Sequence, residues 1–503
     1  MKIPFVDAPP GSGKTTHMRD LIQNHICEYS QGGKCLIVVQ ETKKLLHQTL
    51  KDIHPAKIIT SSDDLQYSES LEQRIIDAIK SNVVIGITDK MFFRLNPTIY
   101  KNHKCLIDDV TTCWVSMMIL VKTGSNWNVA MNSICPVPVL GVQNTNSNNI
   151  EVKLNLDACI DTDDRLDTLL KRDLAGLKHC DHIIIHKSFL NPENSIEQFI
   201  GQEQDKSKKP KMVQLQILGY NDLARYRELD IVFFANNFTN SLLYKCSPEL
   251  FEPYTGFDFS SMAPVIDNRL KIVYVSEREL TSTYAQSPQG KDDIEKFRKY
   301  CLNNIQDDYF WAANDIIVDG GFSLPGQRIS TTSRGINDYK HIRQAVWCSS
   351  LKPSPQEVGM VQQQFGISRT EITYWREIEA IVQFMFRGVL RDKNSTEKMI
   401  LYVFDKKQAE SLSLYSTDIE FKNIGISKSS GKAKGRPAGS AIMTPDEAEL
   451  STKFRKYLSK NNGDNSDRVT AWICKEHKMS GETRKLTTRE KYFLEKIRAK
   501  KGR

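Results

Sequence analysis

The stretch that most limits what this chain can fold into lies almost at its start. Ile3-Pro4-Phe5-Val6-Asp7 reads as a short buried strand and runs into Ala8-Pro9-Pro10-Gly11-Ser12-Gly13-Lys14-Thr15-Thr16. The spacing is G-x-x-x-x-G-K-[ST], with Ala8 in place of the first glycine. Gly11 and Gly13 let the backbone turn so that its N–H groups face an anion at the N-terminus of the helix that follows. Lys14 is placed to reach β- and γ-phosphates, and the Thr15 hydroxyl to ligate Mg²⁺. A chance Gly-rich turn would not need a strand before it and a helix after it. Pro10, Gly11, Ser12, Gly13, Lys14, Thr15 and Thr16 are therefore read as a nucleotide phosphate site.

Cys105-Leu106-Ile107-Asp108-Asp109 is the partner element, an apolar strand ending in two carboxylates. Asp108 suits Mg²⁺ held through its water shell, and Asp109 stands where an attacking water is polarised. Glu is usual at that second position. Asp109 is one methylene shorter, which implies slower hydrolysis or a loop lying closer to the nucleotide. Lys34-Cys35-Leu36-Ile37-Val38-Val39-Gln40 is another buried strand, leading into Glu41-Thr42-Lys43-Lys44-Leu45-Leu46-His47-Gln48. Val83-Val84-Ile85-Gly86-Ile87 is a third, ending at Thr88-Asp89-Lys90. Hydroxyls at strand ends can grip phosphates without reading sequence, or cap the helices that follow; for Thr42 and Thr88 both readings stand.

With these motifs in this order the sequence resembles the motor of superfamily 2 helicases. In motif Ia, P-T-x-x-L-x-x-Q, the residues Thr42, Leu45 and Gln48 match while Glu41 replaces the proline. Thr88 falls at another backbone-contacting threonine of the family. Residues 327–338, which contain Thr331 and Arg334-Gly335-Ile336-Asn337, resemble motif V, and the strand Ala345-Val346-Trp347-Cys348 follows. Gln383-Phe384-Met385-Phe386-Arg387-Gly388-Val389-Leu390-Arg391 resembles motif VI, Q-x-x-G-R-x-x-R, with Phe386 for the glycine and one extra residue before the last arginine. Ile378, Val382, Met385 and Val389 mark an apolar stripe that predicts a helix over 372–390. Gln383, Arg387 and Arg391 would then share its neighbouring face. Two strands compete for motif III: residues 231–241, which are preferred, and residues 180–188. Beside the latter, His179, Cys180, His182 and His186 invite a zinc reading, although histidines flanking a β-branched strand are more often structural.

The resemblance covers residues 1 to about 410 and is nearest to phage-encoded and herpes-type replication and origin-binding helicases. It implies an α/β fold of two RecA-like P-loop NTPase domains, each a parallel sheet flanked by helices, with ATP and Mg²⁺ between them. It makes Lys14, Asp108, Asp109, Gln383, Arg387 and Arg391 the catalytic set, puts Gly335 at the nucleotide, and lays Thr42, Thr88 and Thr331 along the nucleic acid. The phosphate loop starts within ten residues of Met1, which leaves no room for the adenine-reading Q motif of DEAD-box RNA helicases. DNA, single-stranded or forked, is the expected partner; RNA and replication proteins are further candidates. A phage origin would place the protein in the cytoplasm of a bacterial host.

Charge locates a second feature. Residues 421–503 carry 21 Lys+Arg against 9 Asp+Glu, a balance of +12, while residues 1–420 stand at −4. A basic appendage on a near-neutral body suits a polyanion, nucleic acid before membrane. Ser427 to Gly439 has a linker composition, and its Lys434-Gly435-Arg436-Pro437 core resembles a minor-groove AT-hook. Thr444-Pro445-Asp446-Glu447 is a capping box opening a basic helical segment. The expected organisation is a first motor domain at 1–260 with insertions in 115–230, a second at 261–420, a linker at 421–442 and a basic, mainly helical tail at 443–503. No run of eighteen apolar residues exists, no signal-peptide pattern opens the chain, and eleven scattered cysteines without a C-x-x-C pair point to reduced thiols in a cytosol. Two other readings fit the phosphate loop: a terminase- or restriction-type translocase, and a binding protein that keeps ATP as a structural ligand.

Overall fold

Leu36-Ile37-Val38-Val39-Gln40 is buried along its whole length, as a central strand of a sheet covered on both faces must be. The computed structural model describes residues 2–29, 33–60, 70–109, 114–122, 137–139, 149–154, 177–186, 212–259, 266, 268–331 and 338–426. Strands β1 (Ile3–Asp7), β2 (Leu36–Gln40), β3 (Ala56–Ile58), β4 (Val84–Thr88) and β5 (Lys104–Asp108) alternate with helices α1 (Lys14–Glu28), α2 (Lys43–Leu50), α3 (Leu71–Ser81) and α4 (Asp89–Arg94). After β5 the chain leaves for five strands, β6 (Trp114–Lys122), β7 (Val137–Pro138), β8 (Asn149–Lys153), β9 (His182–His186) and β10 (Met212–Tyr220). It returns as β11 (Asp230–Ala235) and β12 (Phe251–Pro253). The first sheet has the order β12-β1-β11-β5-β2-β4-β3, and every pairing in it is parallel. Odd and even residues of β2 face opposite cores: Ile37 and Val39 join one cluster, Leu36 and Val38 the other, the period of two that a strand imposes.

The excursion differs from the surface elaboration expected for 115–230. Strands β6 to β10 make a sheet of their own, in the order β6-β10-β9-β8-β7, with antiparallel pairing throughout. It is a folded layer. Its clearest sequence signal was the nine-residue run 212–220, whose partner 114–122 lies about ninety residues upstream.

The second parallel sheet is built from β13 (Leu270–Ser276), β14 (Tyr309–Ala313), β15 (Gln327–Arg328), β16 (Gln344–Cys348), β17 (Met399–Asp405) and β18 (Asp418–Phe421), in the order β15-β14-β16-β17-β13-β18. All its pairings are parallel, so the chain carries two parallel-sheet α/β domains of RecA-like type. Its two faces are again covered separately, Ile272 and Tyr274 on one side and Val273 and Val275 on the other. No helix among the described residues is long and apolar enough to cross a membrane.

The connection from β16 to β17 ties the sheets together. Its first helix, Pro355–Phe365, is capped by Ser354; a capping box at Ser368 and Glu371 opens Arg369–Thr373; a π turn, Tyr374–Ile378, leads into Glu379–Met385. Val358, Met360, Val361, Ile367, Ile372 and Trp375 pack into the core of the first sheet. Ile378, Ile381, Val382, Phe384 and Met385 pack into that of the second. The side chains change allegiance within the π turn, between Trp375 and Ile378. Apolar burial of this kind contributes roughly 1.5–3 kcal/mol per large side chain. Trp375→Ala should therefore lower the free energy of unfolding by about 3–5 kcal/mol in urea titration, whereas truncating Leu414, 83% exposed, should change it by less than about 0.5 kcal/mol.

Candidate functional site

Register assembles the site. Val6 lies opposite Phe234, Phe234 opposite Asp108, Asp108 opposite Gln40 and Gln40 opposite Thr88, so one row of residues crosses the carboxyl edge of the first sheet, the edge where open α/β sheets take their ligands, with Asp7 and Ala235 paired one residue beyond it. β11 is the strand between β1 and β5, which identifies 231–241 as the segment that separates the phosphate loop from the acidic strand. The rival, 180–188, belongs to the antiparallel sheet through β9. There His182 Nδ1 pairs with Glu151 Oε1 at 2.8 Å and its ring stacks on Tyr220; no metal-binding cluster of His, Cys, Asp or Glu occurs among the described residues.

At the end of β1 the Ala8 N–H donates to the Ala235 carbonyl at 3.0 Å, fixing the start of the loop. Gly11 and Gly13 have φ of 84° and 82°, a left-handed backbone that a side chain would strain. Helix α1 begins at Lys14 with no side-chain cap, which leaves the N–H groups of its first turn for an anion. Pro10 and Ser12 are buried, and the Ser12 hydroxyl has no hydrogen-bond partner. Thr15 is half-buried and Thr16 exposed. Lys14 Nζ turns back over the loop, donating to the carbonyls of Ala8 and, at 2.9 Å, of Pro9. The amine is thus held by carbonyls of the loop it closes over.

The acidic strand faces this amine. Gln40 Nε2 donates to Asp108 Oδ2 at 2.7 Å and to Thr49 Oγ1 at 3.0 Å. Burial, and then the neighbouring Asp109, push the Asp108 carboxyl up to about 6, against the opposing pull of Gln40, Lys14 and Arg391. Burial holds Lys14 down at about 8, although Asp108, Asp109 and Glu379 favour its charged form. Asp109 has φ of 74° and its N–H donates to Phe234 O at 2.7 Å. Asp is among the few side chains enriched in that left-handed conformation, which supplies a backbone reason for Asp at a position where Glu was expected.

The second sheet contributes from across the cleft, though not by the helical face expected. The helix ends at Met385, short of the predicted 390. At Gly388 a Cβ would come within 2.7 Å of the Ile342 carbonyl, and the Val389 N–H donates to that same carbonyl at 3.0 Å. The chain is thereby drawn out of the helix into a 3-10 turn, Val389–Arg391. Gln383, Arg387 and Arg391 consequently do not share a helix face. Arg391 lies within electrostatic reach of Asp108 and Lys14, and burial lowers its pKa against the pull of Asp108. Arg387 sits at the break and is 2% exposed. Gln383 Nε2 donates to Glu379 Oε1 at 2.9 Å.

Three residues that sequence reasoning passed over join the site: Gln40, Asn236 and Glu379. Asn236, just beyond β11, donates to both carboxylate oxygens of Glu379 at 2.7 and 2.9 Å, a buried contact between the two sheets. Asn237 reaches the Tyr374 hydroxyl of the π turn at 3.2 Å. An acid four residues before Gln383 in an otherwise apolar stretch was the available signal for Glu379. Of the threonines, Thr42 caps α2 by accepting from the Leu45 N–H at 3.2 Å, while Thr88 precedes α4 without a side-chain cap bond. Both lie at the carboxyl edge. Thr331 follows β15, the outer strand of the second sheet, and is half-buried. Gly335, Lys434 and Arg436 lie outside the described residues.

No family profile matches the chain, and no curated protein matches it. Among solved structures it is similar to the DEAD-box helicase Mss116 bound to single-stranded RNA and UDP-BeF, at 10% identity over 91% of this chain and 79% of that one, TM-score 0.34. It is also similar to a DEAD-box protein from the hyperthermophile Methanococcus jannaschii, at 12% identity over 84% and 88%, TM-score 0.26. A third likeness is to the arterivirus nonstructural protein 10 helicase in complex with DNA, at 12% identity over 82% and 63%, TM-score 0.25.

The position of Lys14 yields a pH dependence. Burial lowers its pKa to about 8, so the ammonium loses its charge as the pH rises past that value, and the affinity of the loop for inorganic tripolyphosphate, measured by calorimetry without divalent metal, should fall as the pH rises through about 8. Lys14→Ala should bind weakly and flatten that limb.

Proposed function

We propose that the chain is an ATP-dependent nucleic-acid motor, a helicase or translocase of superfamily 2 type acting on DNA. One observation carries the reading: Lys14 and Asp108, at the carboxyl edge of the first sheet, lie within electrostatic reach of Arg391 from the second. ATP is the substrate that such a cleft fits. The open first turn of α1, the left-handed Gly11 and Gly13 and the unpartnered Ser12 hydroxyl make a cradle for its phosphates. Pro10 shapes that loop, and Thr15 and Thr16 follow Lys14 on the first turn.

Asp108 is half-buried beside a second carboxylate, Asp109, and a hydroxyl stands at Thr15, a hard oxygen donor set that fits Mg²⁺. When bound, Mg²⁺ supplies neutralisation of charge on the phosphate oxygens. Lys14 gives up its two carbonyl partners to a phosphate oxygen. Asp109, on its left-handed backbone, orients the attacking water. Arg391 stabilises charge developing on the γ-phosphoryl group, and Gln383 and Asn236, both bonded to Glu379, tie the helix that precedes Arg391 to the end of β11.

Residues 1–260 and 261–420 are assigned as the two motor halves, 421–442 as a linker and 443–503 as a nucleic-acid-binding tail. Thr42, Thr88 and Thr331, with hydroxyls at the ends of sheet strands, are assigned to the sugar–phosphate backbone. The Lys434-Gly435-Arg436-Pro437 motif and the +12 balance of the tail favour DNA as the polymer, in a replication or recombination setting. Gly335 is assigned to the nucleotide by the sequence resemblance.

Phosphate release by the purified chain, with and without single-stranded DNA or RNA, tests the assignment. DNA should stimulate release, and Lys14→Ala should reduce it to background. Release indifferent to any polymer, or absent altogether, would instead favour a protein that holds ATP as a structural ligand. Arg391→Ala should lower kcat by about 10³-fold with Tm nearly unchanged. Arg387→Ala, at a 2% exposed position, should also lower Tm, since truncating a large buried side chain leaves a cavity.

A further inference from the structure

An aromatic cluster flanks the phosphate loop and takes no part in the chemistry above. His17 lies on α1 three residues past Lys14, about 5 Å farther along the helix axis. Tyr254, Phe257 and Phe259 follow β12, the strand beside β1, and the Tyr254 N–H donates to Phe5 O at 2.8 Å. That bond pins the segment to the same strand that delivers the loop. The Phe257 ring lies 4.5 Å from His17 at 33°, and Phe259 meets His17 edge-on at 5.3 Å. Phe259 is also 4.7 Å from Phe257, and Tyr254 is 6.0 Å from His17.

Phe259 is buried, but Phe257 keeps 39% of its surface exposed. A phenyl ring set over another ring while still facing water is ordered at an entropic cost and leaves apolar area in solvent. An aromatic pair one helical turn from a phosphate cradle suits the part of a nucleotide that is neither phosphate nor charged. We propose that Phe257, backed by His17 and steadied by Phe259, is the stacking platform for the base of the nucleoside triphosphate whose phosphates the loop holds. The proposal rests on the phosphate-site reading of residues 10–16. It adds an interaction that the loop cannot supply, because backbone N–H groups and Lys14 recognise the phosphates alone.

Calorimetric titration of the full chain with Mg²⁺–ATP and with inorganic tripolyphosphate tests it. Phe257→Ala should weaken ATP binding about tenfold, the loss of one base–aromatic stack, and leave the tripolyphosphate Kd unchanged. Phe257→Trp should retain ATP affinity. The platform is overturned if Phe257→Ala binds ATP like the wild type, or if it loses affinity for both ligands alike. A wild type that binds neither ligand overturns the phosphate site and the platform with it. Tripolyphosphate binding lost in Lys14→Ala but kept in Phe257→Ala separates the two subsites.

Discussion

In a parallel sheet every strand delivers its carboxyl end to the same edge, and in this chain that edge is where charge collects. Neighbouring register pairs bring Asp108 beside Gln40 and Phe234, and Asp7 beside Ala235. The apolar bodies of the strands drive the sheet together, while their last residues are left to do chemistry. Lys14, Asp108 and Arg391 are all partly withdrawn from water there, and charge at such a place is stabilised by opposite charge. The opposite pKa displacements of Asp108 and Lys14 express one condition, a partly desolvated site that favours the neutral form of each group.

Much of this was legible in the residues. The phosphate loop, the acidic strand and the apolar runs of β2, β4 and β16 each declare themselves locally, because a turn needing glycine and a strand buried on two faces leave few alternatives. The order of strands was less accessible. That β11 and not β9 enters the first sheet depends on pairing across more than a hundred residues, and both are short β-branched or aromatic runs ending in polar residues. The antiparallel layer was missed for the same reason: β6 and β10 find each other only in three dimensions. Over residues 378–391 the apolar periodicity persisted through Val389, but Gly388 and its contact with Ile342 stop the helix at Met385. Periodicity reports which side chains are buried, and Val389 is buried without being helical.

The contacts between the two halves are both polar and apolar. Asn236 to Glu379 and Asn237 to Tyr374 join the end of β11 to the π turn and the helix beyond it. Lys245 and Glu371 add an ion pair at 2.8 Å, and Trp114 stacks on Phe365 with centroids 5.6 Å apart. π turns concentrate at functional positions because one extra residue per turn re-aims the side chains around it. Here that residue lets consecutive turns face different cores, Trp375 the first and Ile378 the second. Glu377, within the same turn, is buried and accepts from Gln408 and the Leu351 N–H at 2.8 and 3.0 Å, which holds the turn from the side of the second sheet.

A boundary drawn between strands and a boundary drawn between cores do not coincide in this molecule. The strands divide between Pro253 and Leu270, yet six large side chains contributed by the sequence after that division complete the packing before it. The first half therefore lacks part of its own interior. Over evolutionary time such a pair is inherited as one piece: an exchange of the second half for that of a distant cousin would have to bring a matching helix face along, and drift in the antiparallel layer must be answered by drift in residues 358–375.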